Sequence, residues 1–323
     1  MQVDLPGQLP GATLLAPGRE VAVTVPATSA NLGPGFDSLG LALSLYDTVR
    51  VRTTDEPGIT VQVAGEGADQ VPLDSSHLVV RTILSTLADA GYTVRGLHLS
   101  AENVIPHGRG LGSSAAAIVS GVLAANALLP DADRLDAAQV LHACSALEGH
   151  PDNVAPALAG DLAISWETDG VFRSARAAVH PDVVPVVAIP ATELSTERAR
   201  GLLPATVPHR TAAANSGRAA LLVHALTMDP ALLPEGTQDF LHQDFRAPAM
   251  PASAALIQAL RSAGFAAAVS GAGPTVLCLA NGASAAAAAE ELMARQLQAA
   301  GENWRVLRLG VERDGARVEV HQR

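Results

Sequence analysis

The chain has 323 residues, of which 48% are apolar, so it can bury the core of two domains or of one large one. Its formal net charge of −11 and its aromatic content of 3% exclude a general binder of nucleic acid or of anionic membranes. All 21 basic residues are arginines, and the absence of lysine excludes a Walker-type phosphate loop, the protein-kinase fold and Schiff-base catalysis.

Strand signals dominate the beginning of the chain. Alternating or β-branched residues predict strands at 20–25, 41–52 and 59–63, and Pro26 is expected to end the first of them. Helical spacing of apolar residues follows at 76–90.

The rest of the chain mixes the two kinds of element. Further strands are predicted at 94–100, 162–166, 183–189, 266–270, 275–279, 304–309 and 317–320. Helices are predicted at 113–129, 135–147, 154–158, 195–203, 212–226, 256–263 and 284–300. Because strands and helices do not alternate regularly, an α+β fold is favoured over a doubly wound sheet. A polar stretch at 167–176 predicts a junction between two domains, 19–168 and 169–323.

The cysteines and residues 1–18 predict the cellular compartment of the protein. Cys144 and Cys278 lie in apolar surroundings and match no zinc or disulfide pattern, which predicts reduced thiols in a cytoplasmic protein. Residues 1–18 do not have the pattern of a signal peptide. The uncharged stretches 110–130 and 262–289 are rich in Gly, Ser and Ala, so we expect buried segments there rather than membrane spans.

The sharpest local signal is the segment 106–117, which reads PHGRGLGSSAAA. Gly108, Gly110 and Gly112 let the backbone approach a ligand closely, and a helix is expected to begin at Ser113. The free N–H groups and the positive end of the helix dipole would then face one point, where a phosphate fits. The spacing is not that of a dinucleotide-binding fingerprint. A glycine turn followed by a packing helix is the structural alternative.

Two further segments concentrate polar residues. Residues 25–40 read VPATSANLGPGFDSLG, in which a tight turn separates Asn31 from Asp37; a turn with Asx caps is the alternative. Residues 148–156 read EGHPDNVAP and place four polar side chains in a short span after a helix. A solvated loop is the alternative for that segment. Arg200 and Arg246 would grip a carboxylate well, unless they are exposed helix charges.

These motifs resemble those of the GHMP kinases, which wrap the phosphates of ATP without a Walker lysine. The segment 26–43, PATSANLGPGFDSLGLAL, resembles the homoserine kinases in particular, as does the His-x-Asp-Asn-Val-Ala-Pro run that begins at His150. Five motifs occur in family order between about residue 20 and residue 309. The resemblance implies an α+β, two-domain GHMP kinase fold, with a ribosomal-protein-S5-like N-terminal domain and a ferredoxin-like C-terminal domain.

The resemblance also implies roles for particular residues. The expected phosphate contacts run along Pro106, His107, Gly108, Arg109, Gly110, Leu111, Gly112, Ser113 and Ser114. Mg²⁺ is expected on Ser114 with Glu148 as the candidate second ligand, because the position where many members carry a glutamate is His142 here. The expected substrate contacts are Asn31, Asp37, His150, Asp152, Arg200 and Arg246. The catalytic assignments are Asn153, Thr196 near the γ-phosphate, and Arg200.

Asn153 occupies the position where mevalonate kinases place an aspartate that is regarded as the base. An amide cannot take a proton, so we expect no general base at that position. The implied activity is the ATP- and Mg²⁺-dependent phosphorylation of the L-homoserine hydroxyl in threonine biosynthesis, with no nucleic-acid or membrane partner; a homodimer is a further prediction. The alternatives are a kinase for another small alcohol, such as mevalonate or shikimate, and a non-catalytic nucleotide-binding sensor.

Overall fold

A computed structural model describes residues 11–322 and confirms the predicted α+β class. Three sheets are formed by β1 (Thr13–Leu14), β2 (Arg19–Ala30), β3 (Leu39–Thr54), β4 (Gly58–Gly65), β5 (Tyr92–Thr93), β6 (Gly96–Asn103), β7 (Leu162–Thr168), β8 (Val171–Ala177), β9 (Val183–Ile189), β10 (Ala266–Val269), β11 (Val276–Asn281), β12 (Arg305–Arg308) and β13 (Arg317–Gln322). The α-helices of this part of the chain are α1 (Leu78–Asp89), α2 (Ser113–Leu128), α3 (Ala137–Glu148), α4 (Val154–Ala159), α5 (Thr196–Arg200), α6 (His209–Thr227), α7 (Leu233–Gly236), α8 (Gln243–Arg246), α9 (Pro251–Ser262) and α10 (Gly282–Ala300).

The larger sheet has the order β13-β2-β3-β6-β4, and the β7–β8 hairpin pairs with the first residues of β3. In β2, Val21, Val23 and Val25 are completely buried, and every residue from Val25 to Ala30 is buried, so the second half of the strand is covered on both faces. Their core also contains the apolar residues of α1 and α2. The sheet therefore holds β2, and the loop that follows it, against the helix that begins at Ser113.

The expectation that Pro26 ends the first strand is wrong. β2 continues to Ala30, with a shift of register relative to β3 between Pro26 and Ala27. A bulge is one of the few places in a sheet where a proline, which has no N–H to donate, is tolerated. The strand consequently reaches five residues further and delivers its end into the cleft described below.

The smaller sheet has the order β10-β11-β9-β12, with antiparallel pairing throughout. The succession of β9, helices, β10, β11, α10 and β12 is the ferredoxin-like arrangement. Its two faces alternate along β9. Val187 and Ile189 join the core shared with the larger sheet, while Val186 and Ala188 pack in a second core with residues of α9 and α10.

The larger sheet crosses the domain boundary that the sequence predicts after residue 168. β8 pairs with β7 along its full length, so the boundary falls inside a β-hairpin. β13, which the sequence assigns to the second domain, pairs with β2 of the first. The polar residues at 167–176 belong to this half-exposed hairpin, whose alternation gives the same composition as a junction, and the division into two domains stays a prediction. Within residues 11–322, no helix combines the length and the apolar character that a membrane crossing requires.

Candidate active site

A cleft between the two sheets brings the predicted motifs together. Its lining comprises Ala30, Asn31, Asp37, Gly108, Gly110, Gly112, Ser113, Ser114, Glu148, His150, Asp152, Asn153, Leu194, Ser195, Thr196, Arg200, Arg246, Gly271, Ala272 and Gly273. Every predicted substrate, catalytic and metal residue is in this set. Of the predicted phosphate contacts, Pro106, His107, Arg109 and Leu111 do not line the cleft.

The glycine loop has the conformation that its composition predicts. Gly108, Gly110 and Gly112 all have left-handed backbones, with φ values of 65°, 78° and 72°. A Cβ on Gly110 would overlap the carbonyl oxygen of Ser270, and Ser270 also donates its hydroxyl to the Gly110 carbonyl at 2.6 Å. The loop is thus packed backbone to backbone against the turn at 270–273, and α2 begins directly behind it. Its first N–H groups are a ready anion site.

Arg109 points away from the cleft. Its guanidinium donates to the carbonyl oxygens of His107, Pro190 and Ala191 at 2.6, 3.0 and 2.7 Å, and it contacts Glu193 at 3.2 Å. The side chain therefore ties the glycine loop to the segment that leads into α5. Any phosphate contact by residue 109 would come from its backbone.

Asn153 is oriented from beneath the glycine loop. The buried hydroxyl of Thr28, at the bulged end of β2, donates to Asn153 Oδ1 at 2.8 Å. A Cβ on Gly112 would meet the same two side-chain oxygens, Thr28 Oγ1 and Asn153 Oδ1. The amide nitrogen of Asn153 donates to Asp152 Oδ1 at 3.5 Å, so one of its two N–H groups stays available as a donor.

Ser114 and Glu148 form a pair of oxygen donors beside the loop. Ser114 lies in the first turn of α2 and donates its hydroxyl to Glu148 Oε2 at 2.8 Å, from the last residue of α3. Burial raises the pKa of Glu148, against the lowering effect of the Ser114 hydrogen bond and of His150. Among the described residues, no cluster of three or more His, Cys, Asp or Glu side chains could bind a metal alone. Two hard oxygens beside a phosphate site do fit Mg²⁺, which completes its shell with phosphate and water.

Asn31 fixes the loop at 31–37, which is called the substrate loop here because the sequence predicts substrate contacts in it. It has a left-handed φ of 68°, is buried, donates to the Gly271 carbonyl at 2.8 Å and accepts from the Asp37 backbone N–H at 3.0 Å. Its amide therefore links the loop at 31–37 to the turn at 270–273. Both of these side-chain bonds are to backbone, so Asn31 acts chiefly by fixing the position of Asp37.

Asp37 and Arg200 form a bidentate ion pair. The two guanidinium nitrogens lie 3.0 and 2.6 Å from the two carboxylate oxygens, and each side chain keeps 37% of its surface exposed. The hydrogen bond to Asp37 raises the pKa of Arg200. The sequence assigned these residues to opposite charges of a substrate, and the structure places them in contact across 163 residues of chain.

Arg246 is the most deeply placed charge of the cleft. Only 1% of it is exposed, and burial lowers its pKa, with further lowering by the charge of Arg200. Its Nε donates to the Ala199 carbonyl and its Nη1 to the Gly271 carbonyl, both at 3.3 Å. Within residues 11–322, no carboxylate lies within 4.0 Å of this guanidinium, and Nη2 has no hydrogen-bond acceptor. A buried cation of this kind is costly unless an anion completes its environment.

The aromatic ring of Phe36 contacts both arginines. The guanidinium carbons of Arg200 and Arg246 lie 5.6 and 5.4 Å from the ring centroid. Both distances are within the range of a cation–π contact. One phenyl ring thus contacts two like charges at the same end of the cleft.

His150 and Asp152 carry the remaining predicted polar groups. Nδ1 of His150 lies 2.7 Å from Asp152 Oδ1. Burial acts to lower the pKa of His150, but the hydrogen bond and charge of Asp152 outweigh it and raise the pKa above its ordinary value. Thr196, at the first position of α5, also lines the cleft and is exposed.

A second cavity of about 300 Å³ opens on the other side of Ser113 and Ser114. Its lining includes Asp47, Val49, Val71, Pro72, Ser76, His77, Leu78, Val79, Asn103, His107 and Ala117. His77 is 6% exposed, and its Nδ1 has no hydrogen-bond partner among the described residues. Burial lowers the pKa of His77, as does the charge of His107. The cavity offers an apolar wall with a few polar groups, which is the usual character of a small-molecule pocket.

Comparisons with known proteins show which family the chain belongs to. The model of the GHMP kinases N-terminal domain matches residues 77–161, and that of the GHMP kinases C-terminal domain matches residues 218–299. A homoserine kinase of Leifsonia xyli subsp. xyli is 52% identical over 93% of this chain and 92% of that protein. One of Streptomyces coelicolor is 51% identical over 92% and 94%. The crystal structure of homoserine kinase from Cytophaga hutchinsonii has a TM-score of 0.83 at 29% identity, covering 93% of this chain and 97% of that one.

The chain belongs to the homoserine kinases of the GHMP superfamily. The identity of about 50% extends over more than nine-tenths of both chains, so the family covers both sheets and the cleft between them. ATP use follows from membership of this kinase family.

Several residues of this homoserine kinase cleft were not found from the sequence. Thr28 reads as an ordinary strand residue, and its contact with Asn153 spans 125 residues of chain. Phe36 lies inside the recognised motif, where an aromatic residue between Gly35 and Asp37 was a usable signal for a stacking group. The second cavity is lined in part by a loop and by the start of a helix, and the composition of neither segment indicates a binding site.

Proposed function

We propose that the chain phosphorylates the side-chain hydroxyl of L-homoserine with ATP in this cleft, giving O-phospho-L-homoserine for threonine biosynthesis. The observation that carries the proposal is the buried guanidinium of Arg246, which has no carboxylate partner within residues 11–322 and faces the same cleft as the start of α2. A substrate carboxylate would complete its environment. A phosphate at α2 would then lie at the other end of the substrate.

The second substrate charge is matched by Asp37. A carboxylate can accept about four hydrogen bonds, so Asp37 can bind an ammonium while it keeps the bidentate contact with Arg200. Arg200 likewise has five N–H donors and uses two on Asp37. The cleft therefore suits a short zwitterion with a hydroxyl, which favours homoserine over mevalonate, an acid that has no ammonium group.

Transfer of the phosphoryl group depends on position more than on a base. Phosphoryl transfer passes through a loose transition state that needs in-line positioning and charge neutralisation. Asn153, held by Thr28, presents an N–H donor that can orient the hydroxyl or a γ-phosphate oxygen. His150, whose pKa Asp152 raises, and Thr196 add donors around the same point.

We assign the triphosphate to the glycine loop and the adenine to the second cavity, which shares Ser113 and Ser114 with the cleft. Ser114 and Glu148 would hold Mg²⁺, which neutralises phosphate charge when bound. We also propose that the protein works in the cytoplasm, because its two cysteines are free and buried. The predicted homodimer and the expected absence of nucleic-acid binding stay predictions from the sequence.

The test removes the charge of Arg246 and keeps most of its buried volume. Arg246→Met is expected to lower kcat/KM for L-homoserine by about a hundredfold, because about 3 kcal/mol of charge-assisted binding is lost. ADP release measures this rate, and Arg305→Met, which breaks an exposed pair with Glu66, is the matched control. An Arg246→Met enzyme with unchanged kcat/KM, or a wild type equally fast with mevalonate, would contradict the proposal.

A further inference from the structure

His242 lies completely buried between the substrate loop and Arg246. Its Nε2 is 2.7 Å from the carbonyl oxygen of Gly33, at the tight turn that precedes Asp37. Its Nδ1 is 3.2 Å from Nη1 of Arg246, one helical turn further along the chain. From the sequence, only Arg246 of the segment 241–246 is given a role, and the mechanism above does not use His242.

The two partners determine the proton on the ring. A carbonyl oxygen can only accept, so Nε2 carries the hydrogen. A guanidinium can only donate, so Nδ1 presents its lone pair to Arg246. The neutral tautomer with the hydrogen on Nε2 is the one that satisfies both contacts.

Few other groups fix the guanidinium of Arg246. Among the described residues, its remaining hydrogen bonds go to the backbone oxygens of Ala199 and Gly271, each at 3.3 Å, which is long for such a bond. The imidazole is the one side chain of residues 11–322 that accepts from it. Without that acceptor, the fork of Nη1 and Nη2 could rotate about its two long anchors.

The ring is itself held in place. Asp239 accepts the backbone N–H groups of Leu241, His242 and Gln243 at 3.0, 3.0 and 2.8 Å, which sets the start of α8. The ring of Phe36 packs against the imidazole at 5.3 Å between centroids. Burial lowers the pKa of His242, with an opposing effect of Asp239 and a further lowering by Arg246. The ring therefore stays neutral and able to accept at neutral pH.

We propose that His242 is a positioning residue for substrate binding: its Nδ1 aims the guanidinium of Arg246 at the substrate carboxylate, and the hydrogen bond of Nε2 to Gly33 determines which ring nitrogen accepts. The proposal rests on the proposed function, in which Arg246 binds this carboxylate. It makes His242 a determinant of KM for the amino-acid substrate and not of the chemical step.

Two variants separate the two contacts of the ring. In His242→Asn the amide can place an acceptor near the position of Nδ1, but the donor to Gly33 is lost. In His242→Gln the longer amide can keep a donor near Nε2, but the acceptor for Arg246 is lost. His242→Gln is expected to raise KM for L-homoserine at least about tenfold, with kcat and KM for ATP little changed. His242→Asn is expected to stay within about threefold of the wild type in all three constants.

Equal increases of the homoserine KM in both variants, a larger increase in His242→Asn, or a parallel loss of kcat would overturn the proposal. Arg246→Met distinguishes this failure from that of the proposed function. If Arg246→Met leaves the homoserine KM unchanged, the carboxylate assignment is wrong; if it raises KM while His242→Gln does not, only the role of His242 is wrong.

A pH profile tests the same role without His242→Gln. The charged groups that face the ring are Asp239 and Arg246 from its own segment and Asp37 from the substrate loop. Protonation of Nδ1 removes the acceptor, so the homoserine KM of the wild type is expected to rise as the pH falls below the ordinary histidine range. The rise should be absent in His242→Asn. An identical acid limb in both proteins would overturn the proposal.

Discussion

The backbone contact between the two glycine turns predicts a large kinetic effect for Gly110→Ala. Gly110 has a φ of 78°, and a Cβ there would overlap the Ser270 carbonyl and lie 3.0 Å from the Gly273 nitrogen. Gly264, which follows α9 with a φ of 86°, has no atom within 4 Å of a Cβ position. Gly264→Ala is therefore a matched control that carries the backbone strain without the clash.

The two substitutions share one cost and differ in another. A left-handed alanine costs about 1 kcal/mol relative to glycine, so both variants should unfold at slightly lower temperature. At Gly110 the loop must in addition move by roughly 1 Å to clear a backbone carbonyl, and a misplacement of that size costs about a hundredfold in rate. Since the N–H and the carbonyl of Ser270 are both hydrogen-bonded within the turn, the glycine loop rather than the turn is expected to move.

The assay is ADP release at varied ATP, with thermal unfolding of each variant alongside. Gly264→Ala should keep the wild-type kcat and KM for ATP, while Gly110→Ala should lose about two orders of magnitude in kcat/KM for ATP. If Gly110→Ala keeps wild-type kinetics, the loop does not bind the triphosphate in the conformation described here. Equal kinetic losses in both variants would attribute the effect to strain alone.

Two further predictions concern titratable side chains of the cleft. Glu148→Gln should raise the Mg²⁺ concentration for half-maximal activity at least about tenfold, because a charged oxygen donor beside Ser114 is lost. An unchanged Mg²⁺ titration would show that Glu148 is not a Mg²⁺ ligand. Asp152 raises the pKa of His150 in the folded state. The stability that this pair contributes is therefore fully present below the ordinary histidine pKa, and it is lost as the pH rises through the pKa of His150 in the folded protein. In urea unfolding, the wild type should exceed His150→Gln in stability by more at acid than at alkaline pH, and an equal difference at both would refute this.

The sequence predicts local structure well wherever the signal is local. Three glycines followed by Ser and Ala determine both the loop and the start of α2, because left-handed turns and helix starts depend on neighbouring residues. The prediction that Pro26 ends the first strand is wrong for the same reason, because a proline judged from its neighbours alone indicates the end of a strand. The bulge that accommodates it depends on the register with β3, which lies outside any local window.

The residue types of the candidate site could be predicted, but their pairing could not. Asp37 and Arg200 were assigned to a substrate, and their direct contact depends on how the two sheets pack. His242 could not be found because its partners, Gly33 and Arg246, become relevant only once the substrate loop and α8 are side by side. Within the segment 241–246 the sequence marks Arg246 as the functional residue, and a neighbouring histidine without a known partner is interpreted as an ordinary core residue.

The pairing of β13 with β2 has a consequence for synthesis of the protein. Residues 317–322 leave the ribosome after the whole ferredoxin-like unit, yet they cover the outer side of the strand that leads into the substrate loop. Until then the nascent chain presents an uncovered edge of β2, the kind of template on which neighbouring chains aggregate. Ribosome stalling or premature termination before β13 should therefore yield a product that needs chaperones to stay in solution, even though both halves of the cleft have already been made.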